Sequence, residues 1–161
     1  MPVLNQSARS FSANTEEVPG VIPLPDGVTL SVGETVQVNY SDGVAVHEAI
    51  TLACTTTGTV GNPYKSGNSV TAKHTYGMNS SCGGGNQQIE GKLDSFASPF
   101  WHTRSSVLQL VRPGFTTTWF TSKSCVNSTN TAWKAFTIAQ TTSGSTPVAT
   151  SPQVTLACNP G

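Results

Sequence analysis

Three histidines, eight carboxylates and four cysteines hold most of the reactive chemistry in this chain. The histidines are His47, His74 and His102, and the acids are Glu16, Glu17, Asp26, Glu34, Asp42, Glu48, Glu90 and Asp94. A Ser-His-Asp site can be assembled from distant positions, but no Gly-x-Ser-x-Gly elbow is present. His47-Glu48 does not open a His-Glu-x-x-His motif, because position 51 is Thr. That motif also needs a helix, and this stretch alternates like a strand. A metal site could use His47, His74 or His102 with Glu48 or Asp94, but none of these pairs falls at the i, i+2 spacing of a strand or the i, i+4 spacing of a helix, and no Asp/Asn calcium loop occurs. Cys82-Gly83-Gly84-Gly85 lacks the Lys-Ser/Thr that completes a phosphate loop. The expectation is a non-enzymatic protein with no catalytic residue, metal or cofactor.

Cys54, Cys82, Cys125 and Cys158 contain no Cys-x-x-Cys or Cys-x-x-His spacing, which argues against zinc. An even cysteine count in a Ser/Thr/Gly-rich β protein suggests two disulfides, each adding about 2–4 kcal/mol. Four buried thiols in a reducing compartment is the other reading. Three pairings are possible, and spacing does not choose among them.

The elements that must position these groups belong to a chain of 161 residues, one domain's worth. Only 10% of residues are charged, the formal net charge is zero, and Ser plus Thr number 42. With no excess of Lys and Arg to neutralise phosphates, an electrostatic nucleic-acid binder is excluded. The composition is equally unlike a coiled coil or helical bundle. With 36% hydrophobic residues, including three Trp, three Tyr and six Phe, the chain can form a core. No apolar run reaches the roughly 18 residues of a membrane helix, so no membrane insertion is expected. Residues 1–9 show neither an apolar core nor a small-residue cleavage pattern, so no secretory signal is expected in this chain.

Residues 1–27 read as an extended Pro/Ser-rich N-terminal arm. Within it Val21-Ile22-Pro23-Leu24-Pro25 is held extended by its prolines, and it is the candidate segment for lying along a partner. Residues 28–161 read as a single β domain. Val28, Leu30 and Val32 alternate with polar residues, and so do Val36, Val38 and Tyr40, predicting two half-buried strands. The segment Val28–Tyr40 resembles the opening strands of immunoglobulin-like modules, where a Gly-Glu turn joins two alternating strands. The likeness is confined to these residues and does not extend to a Cys…Trp…Cys framework.

After the Ser41-Asp42-Gly43 turn, one face carries Val44, Val46, Ile50, Leu52 and Cys54, with Glu48 among them. The other face carries Ala45, His47, Ala49, Thr51 and Ala53, small residues that suit close packing or a sheet covered by a loop. Residues 55–90 read as a loop-rich insertion with one short strand near Ser69–Tyr76. Ile89, Leu93 and Phe96 at i, i+4 and i+7 predict a helix over 87–96. Strands follow at 105–111, 115–121, 131–139 and 153–158, with a Thr/Ser/Pro loop at 141–152. Thr-Leu-Ala-Cys occurs twice, ending at Cys54 and at Cys158. The fold class is therefore all-β: an antiparallel sandwich or barrel, immunoglobulin-like or jelly-roll-like, with six to eight short strands and long loops.

Low charge, Thr-rich strands and a Pro-rich arm suggest a self-assembling structural protein. Its partners would be copies of itself or other proteins of the same assembly. The expected setting is a virion, as a capsid, decoration or tail component, or else a surface filament, so the location is the virion or the extracellular space. Virion assembly in a cytoplasm would explain a missing signal alongside cysteines that oxidise after release. The alternative is a lectin-like module that stacks carbohydrate on Trp101 or Trp119, and the third is a small secreted hydrolase. Asn5, Asn39, Asn79 and Asn127 begin glycosylation sequons, which abundant Ser and Thr also produce by chance.

Overall fold

The computed structural model describes residues 8–12, 22–141 and 144–161. Twelve strands run in chain order: β1 (Ala8–Ser12), β2 (Thr35–Tyr40), β3 (Gly43–Ala49), β4 (Thr55–Gly61), β5 (Tyr64–Ser66), β6 (Ser69–Met78), β7 (Gln87–Ala97), β8 (Phe100–Val111), β9 (Thr116–Ser124), β10 (Asn127–Thr141), β11 (Gly144–Thr150) and β12 (Val154–Asn159). They form two sheets. In the first the order is β1-β2-β3-β4-β6, and β6 also pairs with the short β5 and with β9. In the second the order is β11-β10-β7-β8, and β12 also pairs with β10. All pairings are antiparallel except β1 with β2. Neither sheet closes on itself, so the all-β expectation resolves to a sandwich rather than a barrel, and the strands exceed the expected six to eight.

Two clusters fill the space between the sheets. One gathers Val44, Val46, Val60, Val70, Leu93 and Trp133 around the Cys125–Cys158 disulfide. The other gathers Tyr76, Met78, Ile89, Val111 and Trp119 around Cys54–Cys82. The two pairs are the first-with-second and third-with-fourth connectivity, and no described cysteine is free.

A third cluster lies on the outside of the first sheet. Ile22, Leu24, Val28 and Leu30 cover Val36, Val38, Tyr40 and Ala45. This explains the small residues opposite the Val44 face: Ala45, His47 and Ala49 are buried on both sides of their strand. It also corrects the strand expected at 28–32. Val28 and Leu30 are more buried than Thr29 and Ser31, but no ladder forms there. The chain instead turns through Val28 N–H to the Pro25 carbonyl (3.1 Å) and lies on the sheet as a cover. Period-two alternation reports one-sided burial, which pairing produces but is not required for.

The expected helix over 87–96 is strand β7, central in the second sheet between β8 and β10. A spacing of four satisfies both periods, and the inward set is Ile89, Gly91 and Leu93. Phe96 points outward instead, after an irregularity at Leu93/Asp94. The loop-rich expectation for 55–90 is likewise corrected, because β4, β5 and β6 occupy most of it and the connection is confined to 79–86. Gly58, within the segment expected as loop, lies mid-strand. A Cβ there would approach Val148 Cγ1 to 2.6 Å and Tyr76 Cδ1 to 3.3 Å, so the opposing sheet sits directly on the backbone. The loop expected at 141–152 contains β11.

Gly91 shows the same close approach more severely. A Cβ there would lie 2.8 Å from the His74 ring and closer still to Trp119 Nε1. Both rings are buried, so neither can swing away. Gly91→Ala is therefore expected to destabilise the protein by about 3 kcal/mol, lowering Tm by about 10 °C. Thermal unfolding followed by circular dichroism checks this, and an unchanged Tm would show that the inter-sheet gap adjusts freely.

Candidate functional site

The sequence-predicted candidates do not converge. Trp119 on β9 is 5% exposed and stacks on His74, with ring centroids 5.7 Å apart and an interplanar angle of 21°. It is a core residue and cannot serve as a sugar-stacking surface, which removes it from the lectin-like reading. Trp101 on β8 is half-buried on the outer face of the second sheet. It meets its cross-strand partner Phe96 edge-on at 5.5 Å, and Lys134 Nζ sits 4.8 Å from its ring centroid. Lys92 lies 3.6 Å from Asp94 on the same face and 5.2 Å from the Phe136 ring centroid.

The candidate arm is also partly corrected. Val21 lies outside the described residues. Ile22 is 1% exposed and packs on the chain's own sheet, with Leu24 and Pro25 half-buried and only Pro23 exposed. Ala8–Ser12 pairs with β2 of the same chain. The described part of residues 1–27 is thus committed to covering its own domain.

The histidines stand apart. His102 is exposed, with Nε2 3.3 Å from the Ala97 carbonyl. His47 is buried on the covered outer face of the first sheet, with Nδ1 3.0 Å from Thr57 Oγ1. Its burial pushes its pKa below the ordinary imidazole value, partly offset by the Ile22 backbone.

His74 lies between the sheets, fully buried. The Thr137 hydroxyl donates to the Thr59 carbonyl (2.7 Å), so toward His74 it must accept, and Nδ1 (3.2 Å) carries the proton. Nε2 then accepts from the Thr121 hydroxyl (2.8 Å). This arrangement uses both ring nitrogens in the neutral state and joins the two sheets through polar groups. Desolvation lowers the pKa to about 4, against a smaller opposing effect of the Phe136 backbone.

Two of the carboxylates, Glu90 and Glu34, are engaged elsewhere. Glu90 accepts from Ser106 and from Gln140 (2.9 Å), and Glu34 pairs with Arg9 at 2.8 Å. Among the described residues no three His, Cys, Asp or Glu side chains come together as a metal-holding group.

Sequence reasoning missed a cleft of about 320 Å³ on the first sheet, lined by Asp42, Gly61, Asn62, Tyr64, Lys73 and Phe120. Tyr64 on β5 and Phe120 on β9 flank β6 from opposite sides and are 46% and 52% exposed. Asn62 sits in the turn between β4 and β5. Its backbone N–H donates to the Asp42 carbonyl (2.7 Å), while its side-chain Oδ1 is buried without a hydrogen-bond partner. One signal was available: strand alternation places Trp119 and Phe120 on opposite faces, so one of the two must point outward.

The fold and these sites define a two-disulfide β-sandwich. Compared with protein-family models and with curated proteins, the sequence matches none.

Proposed function

We propose that this protein is a non-enzymatic structural component that associates with copies of itself or coats a larger assembly. A virion capsid, decoration or tail protein is the favoured setting, and a surface filament subunit comes second. The observation that carries the reading is strand β8. Among the described residues it pairs with β7 alone and so forms an edge of the second sheet. Along it Phe100, Leu108 and Leu110 are 66%, 53% and 63% exposed. A long edge strand bearing exposed apolar side chains is a template for pairing with another chain, in which main-chain hydrogen bonds supply affinity and side chains supply register. The zero net charge leaves such contacts little opposed by repulsion and little dependent on salt. Two disulfides are compatible with an oxidising, extracellular setting.

Leu108 and Leu110 lie beside Glu90 and Gln88 on the outer face, away from the core, so Leu108→Lys with Leu110→Lys should leave the fold intact. Light scattering of the wild-type protein is expected to show oligomers or larger assemblies, and the double variant is expected to be monomeric. A wild-type protein that stays monomeric up to millimolar concentration would refute the assembly reading.

A further inference from the structure

We propose that the cleft between Tyr64 and Phe120 is a binding site for a neutral saccharide. The proposal is separate from the assembly reading and stands on the chemistry of the cleft. Its two aromatic walls are held on strands flanking β6, with roughly 10 Å between the strand axes, two inter-strand spacings. A gap of this kind admits a single sugar ring. Both rings are about half exposed, and a pyranose presents an apolar C–H face that stacks on such rings.

The rim of the cleft is polar. Asp42 contributes a carboxylate, Lys73 an ammonium group and Asn62 an amide. A sugar hydroxyl can donate to the Asp42 carboxylate and still accept from a neighbouring group. The floor at Gly61 lacks a side chain, which lets a ligand approach the backbone. Asp42 and Lys73 both line the cleft, so it carries charges of both signs and favours neither an anionic occupant such as phosphate nor a cationic one. The polar rim likewise disfavours a purely apolar one. The site differs from the Trp101 surface, where a lysine ammonium already lies near the indole ring.

The test is saturation-transfer NMR and calorimetry on the full-length oxidised protein. The probes are neutral oligosaccharides built from glucose, galactose, mannose and N-acetylglucosamine, with nucleosides and inorganic phosphate as competitors of other classes. At least one neutral oligosaccharide should bind and should shift backbone resonances of residues 61–64 and 120. Tyr64→Ala and Phe120→Ala should each weaken it roughly tenfold, while Trp101→Ala leaves it unchanged. The resonance shifts on the wild-type protein locate the site even where a variant folds poorly. Absence of neutral-saccharide binding at millimolar concentration, shifts located elsewhere, or a preference for nucleosides or phosphate would each overturn the proposal.

Discussion

Removal of both disulfides is expected to leave the protein unfolded or close to it at room temperature. Cys54–Cys82 closes a separation of 28 residues and Cys125–Cys158 one of 33. By the loop-entropy relation each restricts the unfolded chain by about 3–4 kcal/mol, so together they supply about 7 kcal/mol. That is comparable to the whole net stability of a typical domain, roughly 5–15 kcal/mol. Each bridge is also seated in a different interior cluster, so its loss is felt on both sides of the sandwich.

The effect of losing Cys125–Cys158 should be the larger. Cys158 is fully buried in the cluster that contains Trp133, and its carbonyl accepts the Trp133 indole N–H at 3.2 Å. Urea unfolding followed by tryptophan fluorescence, on the oxidised protein and on paired Cys→Ala variants, measures both contributions. Each pair should lower the unfolding free energy by about 3–4 kcal/mol, and combining them should abolish the cooperative transition. A reduced protein within 1 kcal/mol of the oxidised one would show that the two sheets hold each other without covalent help.

The fold was legible where hydrophobic alternation and pairing coincide, as in β2, β3 and β12. It was obscured in three ways, each with a physical reason. At Val28 and Leu30 one-sided burial arises from a covering segment, so the pattern is genuine and the ladder is absent. At Ile89 and Leu93 the shared spacing of four hid a strand behind a helical reading. Gly91, unfavourable within a helix, is the point where two rings from the other sheet press on the backbone.

Through residues 55–61 the strand is written in threonine and glycine. Hydrophobicity is therefore low, and only Val148 of the opposing sheet and the cross-strand neighbour Tyr76 reveal why Gly58 is there. Cysteine pairing is a property of three-dimensional proximity and was open among three choices. The Tyr64–Phe120 cleft draws on residues from Asp42 to Phe120 in four separate stretches, none of which carries a motif of its own.

Acid should weaken the sandwich through His74, and the direction follows from the geometry around the ring. In the folded protein its pKa is depressed to about 4, against 6.5 for an unperturbed imidazole. Between those values the unfolded chain binds a proton that the folded chain refuses. Stability therefore rises with pH across this window, is complete above about pH 6.5, and is lost as pH falls toward 4. Linkage puts the loss at about 3 kcal/mol once the window has been crossed, most of it by pH 4.5. His47, also depressed by burial, adds in the same direction. Protonation would place a second N–H against Thr121, whose hydroxyl now donates to Nε2, among ring partners that are hydroxyls and an indole. Urea unfolding of the wild type and of His74→Gln at pH 7, 5.5 and 4.5 isolates the contribution. The glutamine variant should start from a lower stability, because it loses the stacking on Trp119, yet decline less steeply with acid. Parallel pH slopes for the two proteins would mean that His74 is protonated in the folded state at its ordinary pH, and the neutral hydrogen-bond chain Thr121–His74–Thr137–Thr59 would have to be abandoned.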